Sequence, residues 1–398
     1  MAATGVYQVA ILGPGAAGER GKLQKAIQHT VKVLGLPPGK VLRFLAERNF
    51  RHRSPKHPLA AVYFGGPEAR SVDEKMAQAL IADDAAILPV VPRIQDFKSF
   101  VPECLHPING MGLDADDPEL VRVSQWVTAA LGLVRHRRFS FISYYRQEAT
   151  RLALQLHQEM DARGWTSFLD THSLAAGVDF QAELWDRMND ADLLVLLDSP
   201  KALSREYVRQ EIERADQLGM GVLQVVWPGH KPDRATDLAL KFVLEPEDFR
   251  PGSLERRGGQ LLRKQALGRL LAEAERLRAR SLAARRDRLV RTFMARARDA
   301  GLTVARSEPD RVDVAGRNGT YAVVPVVGHV DSTMAFRAER RLASEQPAPE
   351  DSLPPRPVLL YDNIGLLQER IDHILWLDEH LPVKSVASQG AASWAEKA

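Results

Sequence analysis

Tyr207 and Glu211 stand four residues apart in Ser204-Arg-Glu-Tyr-Val-Arg-Gln-Glu211, within a stretch of about 203–218 that reads as one helix. Residues i and i+4 share a helical face, so an aromatic ring and a carboxylate lie side by side. Such a pair can hold a flat heterocycle and the sugar attached to it. The helix follows the apolar run Leu193–Leu197 and the stop Ser199-Pro200. Two other strand ends bring polar groups: Ser143 to Arg146 after Phe139–Ser143, and Asp170 to Gly177 after Thr166–Leu169. Open parallel sheets bind ligands outside the carboxyl ends of their strands, where strand order reverses. These residues therefore belong to one candidate rim.

The elements that must position them form an α/β unit over roughly 136–250. Its strands, Phe139–Ser143, Thr166–Leu169, Leu193–Leu197 and Val222–Val226, are short and apolar, as strands buried on both faces should be. Helices are expected over 146–162, 179–190 and 203–218. An α/β unit is also expected over 1–135, with Val9–Leu12 and Leu59–Phe64 as strands and helices to about Gly35, through Met76–Leu80, and over Asp117–Leu133. The two units echo each other: Ala82-Asp-Asp leading into Ala86–Val91 and Pro92 resembles Asn189-Asp-Ala-Asp leading into Leu193–Leu197 and Pro200.

From about 137 to 230 the chain resembles a TIR (Toll/interleukin receptor) domain, of the kind found in NAD-cleaving effectors of bacterial antiviral defence. Phe141-Ile-Ser-Tyr144 is similar to the family's first box, and Leu169-Asp170 with the loop to Gly177 to its second strand and self-association loop. Ser204 to Glu211 is similar to the Ser-x-x-Trp-Cys-x-x-Glu motif, with Tyr207 for Trp and Val208 for Cys. The resemblance implies a flavodoxin-like parallel sheet, a catalytic Glu211, and a substrate pocket made by Ser143, Arg146, Phe168, Asp170 and Tyr207. It implies an assembly loop containing Leu174 and Gly177, NAD as substrate with no cofactor, and self-association through TIR domains.

One carboxylate suffices for that reaction. Glycosidases use a second to protonate an alkoxide leaving group, whereas nicotinamide leaves a pyridinium as a neutral molecule. What remains is an oxocarbenium-like sugar. At about 4 Å and an effective dielectric near 20, a carboxylate attracts a full positive charge by roughly 4 kcal/mol. That is on the order of a thousandfold in rate if realised only in the transition state. The plain alternative for Glu211 is a solvated helix glutamate paired with Arg214 or Arg209.

Other motifs are weaker. Gly13-Pro-Gly15-Ala-Ala-Gly18 fits G-x-G-x-x-G after a strand. Proline sits in the turn, however, and Glu47 lies too far on to be the acidic partner, so a plain strand-to-helix turn is expected. Gly21-Lys22 lacks both the register of a P-loop and its Ser or Thr. The arginines at 276, 278, 280, 285, 286, 288 and 291 interleave with Glu273, Glu275 and Asp287. They are expected to pair along a solvated helix face, which favours neither DNA nor RNA as a partner. Together with the basic helix before Gly301, the order helix, three strands, helix, strand resembles the core of restriction-type nucleases, with Asp313 on the second strand. The third strand, Tyr321–Val327, lacks the E-x-K that would hold metal, so a non-catalytic sensing or assembly domain is expected. His329, Asp331, Asp362 and His373 are read there as structural.

The bulk numbers set limits. A length of 398 residues suits two or three domains. A net charge of +3 demands no nucleic-acid partner. The single Cys104 forms no internal disulfide, no metal-type spacing of His or Cys occurs, and neither a secretory signal nor a membrane-spanning run is visible, which together suit a cytoplasmic protein. The expected organisation is an N-terminal α/β domain (1–135), the TIR domain (136–250), a basic helical segment (251–300), a C-terminal α/β domain (301–387) and a frayed tail (388–398). The expected function is an NAD glycohydrolase gated by assembly or by a signal or protein partner sensed through the flanking domains. The alternatives are a TIR adaptor without catalysis and a hydrolase or transferase of another nucleoside N-glycoside.

Overall fold

The computed structural model describes residues 7–33, 37–54, 57–67, 71–83, 85–113, 120–131, 133, 135, 138–169, 180–233, 236–308, 311–344 and 354–396. They fall into two compact units, Met1–His136 with Leu271–Arg280, and Arg137–Leu270 with Ser281–Ala398.

The first unit is built on β1 (Tyr7–Leu12), β2 (Leu42–Leu45), β3 (Leu59–Phe64), β4 (Ala86–Val91) and β5 (Met111–Gly112), parallel throughout, in the order β2-β1-β3-β4-β5. Its helices are α1 (Ala16–Val33), the one-turn α2 (Pro38–Val41), α3 (Ser71–Ala82), the one-turn α4 (Phe97–Phe100) and α5 (Val121–Ala130). Side chains alternate along each strand, so one face sends Val9, Ile11 and Val62 against Leu23 and Ile27 of α1 and Val127 of α5. The other sends Leu12, Ala61 and Tyr63 against Met76 and Leu80 of α3.

In the second unit β6 (Arg138–Tyr144), β7 (Trp165–Leu169), β8 (Leu193–Asp198), β9 (Gly221–Val226) and β10 (Leu240–Val243) form another all-parallel sheet, ordered β10-β9-β8-β6-β7. Numbered in chain order within each sheet, both run second-first-third-fourth-fifth, the flavodoxin-like order. The echo between the two segments is thus an echo of topology. α6 (Arg146–Asp161), α7 (Phe180–Asp190) and α8 (Glu206–Leu218) connect the strands. Phe141, Leu194, Leu196 and Val222 of the sheet pack with Leu184 and Met188 of α7 and with Val208, Ile212 and Ala215 of α8. That face carries the site described below.

A single helix, α9 (Lys264–Asp299), occupies the basic segment. Its arginines are not one solvated face. Arg276 pairs with Glu273 and Arg291 with Asp287, as expected, but Arg278 is 1% exposed and Arg286 is also buried. Two arginines instead bind helix-end carbonyls. Arg285 donates to Ala191 O at 2.8 Å, just past α7, and Arg288 donates to Leu218 O at 3.0 Å, the last residue of α8. A guanidinium suits the orphan carbonyls and negative pole of a helix C-terminus.

The C-terminal part is a mixed sheet of β11 (Thr303–Glu308), β12 (Arg311–Gly316), β13 (Gly319–Pro325), β14 (Arg356–Tyr361) and β15 (Lys384–Ala387) in sequential order, antiparallel up to β13 and parallel beyond. Val290 and Phe293 of α9 cover one face. α10 (Ser332–Ser344) and α11 (Gln368–His380) cover the other. Asp313 on β12 pairs with Arg311 at 2.5 Å. Among the described residues no group of His, Cys, Asp or Glu side chains is placed to hold a metal ion, and no helix is long and apolar enough to cross a membrane.

The end of the chain corrects one expectation. Residues Ala391–Ala395 form α12, and Trp394 packs 5.8 Å from the Phe293 ring and 5.1 Å from the Tyr321 ring. A small-residue composition suggests fraying, yet one tryptophan buries enough apolar surface to seat the turn that carries it.

Candidate functional site

The site gathers where strand order reverses, between β6 and its neighbours. Phe141 faces α7 and α8, so Ser143, two residues on, points the same way. Ser143 is fully buried, and its hydroxyl has no hydrogen-bond partner among the described residues. The same holds for Ser199, directly after β8. Arg146, the first residue of α6, is half-buried, and its Nη2 is likewise enclosed without a partner. Buried polar atoms are nearly always bonded. Three unsatisfied ones near the carboxyl ends of adjacent strands mark a place where hydroxyls or phosphates of a ligand would fit.

α8 covers this face. Its buried positions are Val208, Glu211, Ile212, Ala215 and Leu218, and Gly219 ends it in the left-handed conformation. Tyr207 is half-buried and packs against the same core cluster as Phe168 and Trp185 do. Glu211, one turn on, is 0% exposed. Glu211 was expected as a rim carboxylate accessible from the crevice; it lies instead on the sheet-facing side of α8. The apolar positions 208, 212 and 215 turn that arc of the helix inward and take residue 211 with them. The expected solvated partners are engaged elsewhere: Arg209 pairs with Glu206 at 2.6 Å, and Arg214 donates to Gly365 O at 2.6 Å and Asn189 Oδ1 at 3.0 Å.

Phe168 is in register with Phe141. Its ring stacks on Phe139 with centroids 6.2 Å apart and lies 5.1 Å from the Arg187 guanidinium. Asp170, Leu174 and Gly177 lie outside the described residues. The structure thus brings Ser143, Phe168, Tyr207 and Glu211 to one side of the sheet, with Arg146 at the end of β6.

Sequence reasoning passed over several neighbours. The Tyr145 hydroxyl accepts from Arg205 Nη2 at 2.5 Å, with that guanidinium 4.2 Å from the ring, which ties the end of β6 to the start of α8. Buried Glu148 accepts the Lys201 N–H at 2.9 Å, fixing the loop after Ser199. Asp198, buried at the end of β8, accepts from Gln224 Nε2 at 2.7 Å and lies 3.3 Å from His230 Nε2. Burial holds its carboxyl above the usual carboxylate range, against the opposing pull of Gln224 and His230. The acidic residue in Leu197-Asp198-Ser199 was the only available signal, since nothing local announces Gln224 or His230 as its partners.

Residues 141–252 match the family model described as TIR domain. This segment is a TIR domain. The match spans a little over a quarter of the chain and reaches past the end of β10, so it includes every described residue of the site except Phe139. No curated protein matches the chain. Among solved structures, a protein from Silicibacter pomeroyi DSS-3 described as a phosphosugar isomerase is 11% identical, covering 71% of this chain and 88% of its own, with a TM-score of 0.20. At that score the likeness carries no argument. TIR domains serve as NAD-cleaving enzymes or as adaptors, and the geometry above bears on which applies.

Proposed function

We propose that the TIR domain hydrolyses the nicotinamide–ribose bond of NAD, with Glu211 as the catalytic carboxylate, in bacterial antiphage defence. The observation that carries this reading is a fully buried glutamate one turn from Tyr207, on the face where the Ser143 hydroxyl is enclosed without a partner. A buried carboxylate costs far more than a solvated one, so its retention on an otherwise apolar helix face calls for a use. In the proposed use, Glu211 faces the ribose and stabilises positive charge as nicotinamide departs, while Tyr207 and Phe168 bound the ring-binding side. Arg146 lies within reach of a phosphate.

At 0% exposure Glu211 cannot meet substrate until groups around it move. The resting protein is therefore expected to be inactive, and assembly or a signal received by the flanking domains opens the site. The same burial also fits a second reading, an adaptor in which Glu211 only packs. Release of nicotinamide from NAD by purified protein, compared with Glu211→Gln and with another nucleoside substrate, separates the readings. Release that Glu211→Gln abolishes supports the enzyme. Absence of release under every assembly condition supports the adaptor, and equal turnover of an unrelated N-glycoside points to a nucleoside hydrolase.

A further inference from the structure

The N-terminal unit holds a cavity of about 510 Å³ at the carboxyl ends of β1 and β2, within the size range of small-molecule sites. One wall is the turn Gly13-Pro14 with Ala17 and Arg20 of α1. The other is Ala46, Glu47 and Arg48, directly after β2. Because β1 and β2 pair in parallel, Tyr7 against Leu42, both walls open at the same end of the sheet.

The glycines are explained by packing. Gly13 has φ +96°, and a Cβ there would collide with Phe64 O; a Cβ on Gly15 would lie 2.8 Å from Gly65 O. The Gly15 N–H donates to Phe64 O at 3.1 Å, the Ala16 N–H to Gly13 O at 3.0 Å, and Pro14 has none to give. The turn offers no amide cradle at these positions, and backbone fills the crevice between β1 and β3. As the sequence suggested, it is a strand-to-helix turn.

The side chains beside it are another matter. Arg20 is anchored through Nη2 to Ile11 O at 3.1 Å, and its buried Nε has no hydrogen-bond partner among the described residues. Arg48 is exposed on the opposite wall. Two guanidinium groups against the single carboxylate of Glu47 favour an anionic ligand. Glu47 stands just past the end of β2 beside β1, the position from which a carboxylate takes ribose hydroxyls in dinucleotide-binding sheets. Its separation from the glycines, well beyond the ~20 residues of that motif, reflects the 18-residue α1 and the extra turn of α2. Counted along the chain Glu47 is misplaced; counted along the sheet it is not.

We infer that this cavity is a second ligand site and that its ligand is a nucleotide, with the ribose diol on Glu47 and phosphate on Arg20 and Arg48. The base rests against Pro14, Ala17 and Ala46. The inference stands apart from the TIR reading, since none of these residues belongs to residues 141–252.

Equilibrium titration of the full chain with AMP, dAMP, adenosine and inorganic phosphate tests it. AMP is expected to bind at least tenfold more tightly than adenosine or phosphate alone, and several-fold more tightly than dAMP. Arg48→Ala, an exposed change that leaves the fold intact, should weaken AMP about tenfold or more, as should Arg20→Ala. Glu47→Gln should bring AMP and dAMP together. AMP binding no better than phosphate, or undiminished in both arginine variants, overturns the proposal.

Discussion

Arg214 donates from Nη2 to the carbonyl of Gly365 at 2.6 Å, three residues along α8 from Glu211. The helix that carries the buried carboxylate is therefore held by the C-terminal part of the chain. The same seam includes Arg370, which chelates Asp186 of α7 at 2.7–3.1 Å, and the His329 N–H, which donates to Asp190 at 3.0 Å. Gly365 has φ +68°, and a Cβ there would overlap the Arg214 guanidinium. Gly365→Ala is expected to cost about 1–2 kcal/mol from the left-handed backbone alone. It should also speed amide hydrogen exchange along α8. An unchanged denaturation midpoint together with unchanged exchange would show that the contact restrains nothing.

Glu211→Gln keeps shape and removes charge. Loss of a preorganised charge at a reacting centre costs roughly a hundred- to a thousandfold in rate, so NAD cleavage should fall at least a hundredfold. The variant should remain folded, because glutamine keeps the volume and shape of the side chain in its buried position. Steady-state nicotinamide release and a thermal melt measure both. A folded variant that turns over at the wild-type rate would remove Glu211 from the mechanism.

The Tyr207 series separates ring from hydroxyl. As Tyr207 also packs against the α7–α8 core, Tyr207→Ala is expected to lower stability as well as nucleotide binding. Tyr207→Trp and Tyr207→Phe keep a stacking face, a contribution of about 0.5–1.5 kcal/mol beyond buried area, and should bind NAD nearly as well as wild type. If Tyr207→Phe is as damaging as Tyr207→Ala in a Kd measurement, the hydroxyl and not the ring is what matters.

What the sequence disclosed follows from what each element needs. Leu59–Phe64 and Leu193–Leu197 are buried on both faces and announce themselves as apolar runs, and the structure forms strands there. β2, β5 and β10 are short or mixed in polarity and went unread; all three are edge strands, with only one neighbour each. The i, i+4 spacing correctly put Tyr207 and Glu211 on one side of α8. It could not say which way that side turned, because depth depends on the apolar positions interleaved with them and on the sheet beneath. Likewise the alternation of charges on α9 predicted Arg291–Asp287, but carbonyl capping by Arg285 and Arg288 depends on helix ends distant in sequence.

Asp198 supplies a pH signature. Its carboxyl is held above the usual carboxylate range chiefly by burial, so between that range and its higher folded value the native state binds more protons than the unfolded one. Stability contributed by this group is present at the acid end and is lost as pH rises through the folded value. Asp198→Asn can still accept from Gln224, and it should flatten this part of the stability–pH curve while leaving the protein at least as stable at pH 7. Urea midpoints measured from pH 4 to pH 8 decide it, and a variant clearly less stable than wild type at pH 7 would mean that the ionised form is needed by His230.

Concentration should matter more than linearly. A carboxylate at 0% exposure describes a state in which NAD cannot reach Glu211, so catalysis requires a second state in which it can. If the closed state is favoured by about 2.7 kcal/mol, only about one molecule in a hundred is competent at any time. Contacts between copies that favour the open state would raise that fraction, and by mass action their effect grows with protein concentration. Specific activity, meaning rate per mole of protein, is therefore expected to climb over a dilution series in reverse and to level off once assembly is complete. Sedimentation at the same concentrations should show larger species appearing over that range. A specific activity that stays constant down to concentrations where only monomer sediments would leave the burial of Glu211 without a role in gating.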